Sequence, residues 1–385
     1  MSQADAIPVL TRWTNRILIG LFVALLWLPT ADTFFHFDHA HQPNEKRLLA
    51  APPKLTPGVD GLRKYLAGLD AYFGDHFGCR KVLVSWNNKL KWKLFHDFST
   101  RGALIGHDGW FFFAGDQMVE HESGALEFTP QQLRDWQALL ERRRDWLAQH
   151  DIQFLFVIAP DKASVYSDKL PAWMPKAHPA TKLDQFVAFM QSHSTVQVLD
   201  LRGPLGAARQ IAPTYLKTDT HWNLFGSFIG YQEIIKALSR QLPGLTPLPL
   251  DAFEQKNELR PGGNETTYLG ISATESNAVV FTPKTGLPPL KTTVLQMTTR
   301  PLDTDPVVTT NPQGTGSLFV FRDSFSTTLE GFLGYNFAKV TYLWQYDLDA
   351  KRIEREKPNA VMVEMYEQHF DVTDPKDLMR KDALP

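Results

Sequence analysis

An uncharged apolar run, Ile17 to Leu28, lies near the start of the chain, with Arg12 and Arg16 before it and Asp32 after it. A positive flank, an apolar stretch and then polar chain is the layout of a signal sequence. The run is short for a full span unless Pro29 to Phe35 extend it towards the interface. Residues 29–33 show no convincing small-x-small cleavage site, so the pattern favours an uncleaved signal anchor, with the body outside the cytoplasm, over a cleaved signal peptide. Residues 36–60 are rich in Pro, His and polar groups. The expected organisation is a cytoplasmic tip and anchor helix over 1–35, a linker over 36–60 and one folded domain over 61–385.

Beyond the linker the apolar positions take up a helical period. Leu62, Tyr65, Leu66, Leu69, Tyr72 and Phe73 recur at i, i+3/i+4 and i+7, and after Gly74 and Gly78 a second amphipathic run extends from Lys81 to Phe95. Ile105 to Phe113 reads as a Gly-containing turn feeding an aromatic strand. From about residue 128 helices and strands alternate. Thr129, with Pro130 and Gln132, predicts an N-cap for a helix carrying Leu133, Trp136, Leu139, Leu140 and Trp146. Ile152 to Ile158 is a continuous apolar run, suited to a strand buried on both faces. A helix over 181–193, a strand over 196–199 and an amphipathic helix over 225–242 follow. Residues 243–312, rich in Pro, Thr and Gly, carry no assignable period. Strands are then predicted over 318–321, 339–343 and 360–364, with helices over 329–335 and 349–356. Repeated β-α-β units imply an α/β fold with a parallel sheet and helices on both faces. Sites in such sheets form at the carboxyl ends of the strands.

Composition narrows the picture. With 385 residues and 43% hydrophobic side chains the chain can bury a large core. A formal net charge of −2 argues against a nucleic-acid partner. Cys79 is the only cysteine, which rules out an intramolecular disulfide and a Cys-rich metal site. His36, His39 and His41 have no acidic or cysteine partner at ligand spacing and read as a solvated tether. There is no phosphate loop, dinucleotide fingerprint or zinc pattern, so neither cofactor nor metal is expected.

Two polar motifs carry the chemistry. Lys217-Thr218-Asp219-Thr220-His221-Trp222-Asn223 precedes an amphipathic helix, and Arg322-Asp323-Ser324-Phe325-Ser326 follows the strand ending at Phe321. Taken alone, each is what a helix cap or polar turn requires: Ser324 as an N-cap, Asp219 or Asn223 capping the helix near Leu224. Taken together they offer a nucleophile, a base and an orienting carboxylate. A serine on a tight strand-to-helix turn exposes its oxygen beside converging backbone N–H groups. An Asp-x-His turn sets a carboxylate against imidazole Nδ1, leaving Nε2 for Ser324. Asp323, next in sequence to the serine, points away from it and is assigned a structural role. Arg322 is a candidate for neutralising Asp323 or contacting an anionic sugar. Asn264, in a Pro261-Gly262-Gly263-Asn264 turn, is a candidate oxyanion donor, and Lys162, after the Ile152 strand, a candidate at the site-forming edge or a solvated loop lysine.

These residues resemble the SGNH-like O-acetyltransferases of bacterial exopolysaccharide assembly, the family of the alginate O-acetyltransferases of AlgJ and AlgX type. The motif pair is the specific part of the match. Asn44 to Arg47, Asp75 to Arg80, Gly106 to Phe111, Pro160-Asp161-Lys162 with Val165-Tyr166, and Tyr342 to Gln345 support it across most of the chain. The resemblance implies a catalytic triad of Ser324, His221 and Asp219 on a circularly permuted SGNH hydrolase-like domain. It also implies an exopolysaccharide substrate, a membrane-bound O-acyltransferase as acetyl supplier, and a catalytic domain held in the periplasm by an inner-membrane anchor. A Gly-Asp pair is expected where this chain has Gly263-Asn264, which leaves that loop's role open. With no carbohydrate-binding module after Pro385, the chain resembles the shorter, AlgJ-like form. A carbohydrate acetylesterase using the same triad is the alternative enzyme, and a non-catalytic polysaccharide-binding scaffold the alternative outside catalysis.

Overall fold

The computed structural model describes residues 3–35, 37, 50–95, 102–115, 117–174, 178, 180–269, 271–295, 304–382 and 384. His36, His39, His41 and the Asn44 to Arg47 motif lie outside the described residues. The chain divides into two compact units, Met1–Phe98 with Thr267–Ser272, and Ser99–Thr266 with Ala273–Pro385.

The first unit contains α1 (Gln3–Phe35), α2 (Val59–His76) and α3 (Arg80–Phe95). Within α1, Trp13–Phe35 is long and apolar enough to cross a membrane. The α2–α3 turn passes through Cys79 at φ +57°, and the Cys79 N–H donates to Asp32 Oδ2 at 2.7 Å. Cys79 thus marks a left-handed turn position, one that favours glycine and asparagine over cysteine.

The second unit begins with a hairpin of β1 (Ala103–Ile105) and β2 (Phe111–Phe113) and continues with α4 (Pro130–Ala148). Thr129 and Gln132 form a reciprocal capping box at the start of α4. There follow β3 (Gln153–Ala159), α5 (Lys182–His193), β4 (Val198–Asp200) and α6 (Leu224–Ser239). The stretch without period resolves into strands: β5 (Phe253–Pro261) and β6 (Thr274–Pro283) make a separate antiparallel ribbon, and β7 (Lys291–Val294) and β8 (Val307–Thr310) join the main sheet. The remaining strands are β9 (Ser317–Phe321), β10 (Lys339–Leu343) and β11 (Ala360–Tyr366).

The main sheet has seven strands in the order β4-β3-β11-β9-β10-β8-β7. The first five run parallel, but β8 is antiparallel to β10 and β7 to β8. The expected parallel sheet is therefore corrected to a mixed one. Its antiparallel edge comes from the stretch whose sequence shows no helical period to carry a parallel crossover, and strands joined without one return antiparallel.

Period-two alternation divides the core between the sheet's two faces. Leu155 and Val157 of β3, Leu318 and Val320 of β9, and Met362 of β11 pack with Phe228, Tyr231 and Ile235 of α6. Phe154, Phe156, Phe319, Phe321 and Val363 face the other way, against Trp136 and Leu140 of α4 and Phe186 and Met190 of α5. Each such fully buried side chain contributes about 1.5–3 kcal/mol relative to exposure. A central sheet covered on both faces gives the carboxyl ends of β9, β3 and β11 a rigid common edge.

Candidate active site

The Ser324 turn leaves that edge directly after β9. Ser324 has φ −68° and ψ −24°, and its side chain caps no helix. Its hydroxyl lies 2.8 Å from His221 Nε2. On the other side of the ring, His221 Nδ1 is 2.7 Å from Asp219 Oδ1. A carboxylate only accepts, so Nδ1 carries the proton and donates to Asp219, while Nε2 accepts from the Ser324 hydroxyl. The helix-capping work falls to Asn223, whose Oδ1 accepts from Gly226 N–H at 2.9 Å. Its side-chain amide also ties Pro213 O to Asn277 O.

Asp219 is built to stay ionised. Burial alone would raise its pKa, but the bond to His221, the charge that ring can carry, and the N–H donors of Asn264 and His221 outweigh it and hold the carboxyl at about 2. Asn264 N–H donates to Asp219 Oδ2 at 2.9 Å, and Asn264 Oδ1 accepts from Thr220 N–H at 3.0 Å. Asn264, expected as an oxyanion donor, thus braces the carboxylate and its turn. Gly263 beside it admits no side chain: a Cβ there would sit 2.4 Å from Asp219 Cβ.

Lys162 is buried rather than solvated, following β3 with its Nζ donating to Asp219 O at 2.7 Å and Leu216 O at 3.2 Å. Glu265 lies 3.5 Å from Nζ; burial pushes its carboxyl up to about 7 against the pull of Lys162. Glu275, in the stretch without period, accepts from Lys217 N–H, Thr218 N–H and Oγ1, and Asn277 N–H. Nothing in its local sequence distinguishes it, since Lys217 and Thr218 belong to a segment far away in the chain.

Asp323 turns away from the serine. Its Oδ1 accepts from Phe325 N–H, and its Oδ2 from Tyr366 N–H and the Tyr346 hydroxyl. Burial would raise its pKa, but His369, Tyr346 and the Phe325 N–H outweigh burial and hold it low. Glu364, buried beneath the turn, accepts from Ser326 Oγ at 2.8 Å; burial, then the charge of Asp323, pushes its carboxyl well up. Trp222 joins the two motifs, its Nε1 donating to Phe325 O at 3.1 Å and Thr328 Oγ1 at 2.8 Å.

Ser324 and His221 open onto a cleft of about 590 Å³. Arg322 and Trp344 also line it, but the Arg322 guanidinium is paired with Glu330 at 2.9 Å rather than with Asp323. Neither Asn264 nor Lys162 is among the residues lining the cleft. The arrangement can pass a proton from hydroxyl to imidazole beside a space large enough for a sugar, which is the equipment of acyl transfer.

The α/β architecture, with a serine, histidine and aspartate meeting at the strands' carboxyl edge, defines an SGNH hydrolase-like protein. Residues 103–310, just over half of the chain, match the family described as an SGNH hydrolase-like domain, acetyltransferase AlgX. The chain belongs to that family. It is 30% identical over 244 residues to a protein of Pseudomonas putida named "Probable alginate O-acetylase AlgJ", an alignment covering 63% of this chain and 58% of that one. The chain thus spans less than two thirds of that relative's length. Among solved structures, a DHHW family protein from Eubacterium siraeum matches with a TM-score of 0.54 at 16% identity, covering 75% of this chain and 98% of that one. Bacillus cereus PatB1 matches with a TM-score of 0.53 at 17% identity, covering 72% and 98%. These two similarities bear on the fold alone.

Proposed function

We propose that the chain is an O-acetyltransferase that moves an acetyl group through a Ser324 acyl-enzyme onto a hydroxyl of an exopolysaccharide. The observation that carries this reading is the hydrogen-bonded chain Ser324–His221–Asp219 opening onto the cleft. His221 Nε2 takes the hydroxyl proton as Ser324 Oγ attacks the acetyl carbonyl. The tetrahedral oxyanion collapses, His221 returns the proton to the leaving oxygen, and the acetyl remains on Oγ. A sugar hydroxyl then gives its proton to Nε2 and attacks the ester carbonyl, and Ser324 recovers its proton as it leaves. Asp219 holds the tautomer and stabilises the imidazolium that forms in both halves. The Ser324 N–H, at the head of the turn, is the first oxyanion donor in this scheme.

The order Asp219, His221, Ser324 along the chain is read as a circular permutation of the SGNH arrangement. Trp13–Phe35 serves as the inner-membrane anchor, with the catalytic unit in the periplasm and acetyl groups arriving from a membrane-bound O-acyltransferase. The membrane-competent helix and the AlgJ-named relatives support this placement.

The test is to incubate detergent-solubilised full-length protein with an acetyl ester and oligosaccharide acceptors, following acetate release and acetylated sugar by mass spectrometry. Ser324→Ala is expected to lower both by at least about 10³-fold. Unchanged release and transfer in that variant would sink the reading. Ser324-dependent release without transfer to any acceptor would make the protein an acetylesterase.

A further inference from the structure

Besides His221, Arg322 is the one cationic side chain among the described residues lining the cleft, which also include the carboxylates Asp305 and Glu330. Its guanidinium is already committed. Nη1 donates to Asp323 O and Thr327 Oγ1, Nη2 donates to Glu330 Oε1, and Nε is buried. The Arg322 side chain is 2% exposed against 16% for Glu330, so the pair offers the cleft its carboxylate rather than its cation. Among the described residues, a polyuronate entering here meets the Glu330 carboxylate and no open guanidinium.

The cleft offers something else to a sugar. Trp344 is half-buried in its wall, and the Arg322 guanidinium lies 4.5 Å from the ring centroid. Because three hydrogen bonds fix that guanidinium, the indole resting on it is held in place as well. A rigid aromatic face beside Thr327 and Thr328 hydroxyls suits a ring with apolar C–H faces and neutral hydroxyls. The Tyr342 to Gln345 motif, which the triad leaves unexplained, acquires a role through Trp344.

We propose that the acceptor is an uncharged glycan whose sugar ring packs on Trp344, and that the Glu330–Arg322 pair discriminates against polyuronates. The proposal rests on the acyl-transfer reading of Ser324 and narrows its acceptor class. Trp344 and Glu330 are its specificity-determining residues.

The experiment measures binding separately from turnover. Full-length Ser324→Ala in non-ionic detergent is titrated calorimetrically with neutral hexose oligosaccharides and with oligouronates of equal length. Neutral oligosaccharides are expected to bind at least about tenfold tighter at low salt, with the gap shrinking as salt screens the carboxylates. Adding Glu330→Gln leaves the guanidinium charge uncompensated and is expected to strengthen oligouronate binding roughly fivefold. Trp344→Ala should weaken neutral-glycan binding about tenfold, and Trp344→Phe by less than about threefold, with circular dichroism unchanged in both. Oligouronates binding as tightly as neutral glycans overturns the proposal, as does neutral binding that is absent or indifferent to Trp344→Ala. Acetate release by the wild type is read in parallel. If it is absent while neutral glycans bind through Trp344, the acyl-transfer reading fails, and what stands is a neutral-glycan site in the cleft rather than an acceptor site.

Discussion

The turn carrying Ser324 and the loop carrying Asp219 and His221 are secured by different means. Ser324 follows β9, a strand paired on both sides in the middle of the sheet, so two neighbouring strands hold its backbone. The Asp219–His221 loop has a single isolated bridge, Tyr215 to Trp222, as its regular pairing. Its shape is imposed instead by side chains: buried Glu275 on the Lys217 and Thr218 N–H groups, half-buried Asn264 on Thr220, and buried Lys162 on the Leu216 and Asp219 carbonyls. Ser324 is placed by the sheet, and Asp219 and His221 by polar contacts from elsewhere in the chain. The base half should therefore be more vulnerable to substitutions at residues that never approach substrate.

The largest expected effect ignores that difference. Ser324→Ala and His221→Ala remove the two ends of one proton path, so each is expected to lower kcat by about 10³-fold or more, and the double variant by hardly more than either alone. Steady-state kinetics with a chromogenic acetyl ester would show it. Losses that multiply in the double variant would mean that the two residues do not act as a unit.

The same difference governs what could be read from the sequence. Apolar runs such as Ile152 to Ile158 and Leu318 to Phe321 report strands buried on both faces, and a turn after such a strand places Ser324 at the sheet's carboxyl edge. The Asp-x-His spacing supports the pairing of Asp219 with His221 because it is a local property. Glu275 is illegible: its partners Lys217 and Thr218 are some sixty positions away, and no period marks residues 243–312. Asn264 and Lys162 were legible as polar residues at loops near the edge, but not as braces. Which groups such side chains hold is decided by tertiary packing, and sequence spacing does not encode it. The antiparallel edge of the sheet escaped for the same reason.

Glu275→Gln is the sharper cut through the comparison. The carboxylate accepts four hydrogen bonds with both oxygens, and a carboxamide turns one acceptor into a donor facing backbone N–H groups. The cost is expected to be about 3 kcal/mol in urea unfolding. Loosening of the loop should lower kcat a further 10- to 100-fold or so, with the folded fraction held constant. A variant destabilised by that amount but fully active would show that the loop keeps its shape without Glu275.

The pH dependence of stability sharpens the base half. Asp219 is 19% exposed, and its pKa falls from 3.8 to about 2 on folding. A folded-state pKa below the unfolded one favours the ionised native form. Its stabilisation, about 2 kcal/mol, is complete above pH 4 or so and is lost as pH falls through about 2. Asp219→Asn should therefore unfold more easily than the wild type at pH 6, with the gap closing towards pH 2. Denaturant midpoints at pH 6, 4, 3 and 2 check this, and a gap independent of pH would exclude the carboxylate's charge as its cause.

The smallest expected effect bears most directly on whether the two halves are separately secured. Trp222 is the strut between them, buried, with its indole N–H shared by Phe325 O and Thr328 Oγ1. Trp222→Phe keeps an aromatic ring but removes the donor, leaving a buried carbonyl one hydrogen bond short. The stability cost is expected to be about 1–2 kcal/mol. Since Glu275 and Asn264 still shape the loop and β9 still places the serine, the 2.8 Å contact between Ser324 and His221 should survive. On that basis kcat should fall by less than about threefold at full folding. A tenfold fall in kcat with an unchanged KM would instead make Trp222 the element that sets the Ser324–His221 distance. The base would then be placed by the nucleophile's turn, and the division between sheet-held and side-chain-held halves would no longer describe the site.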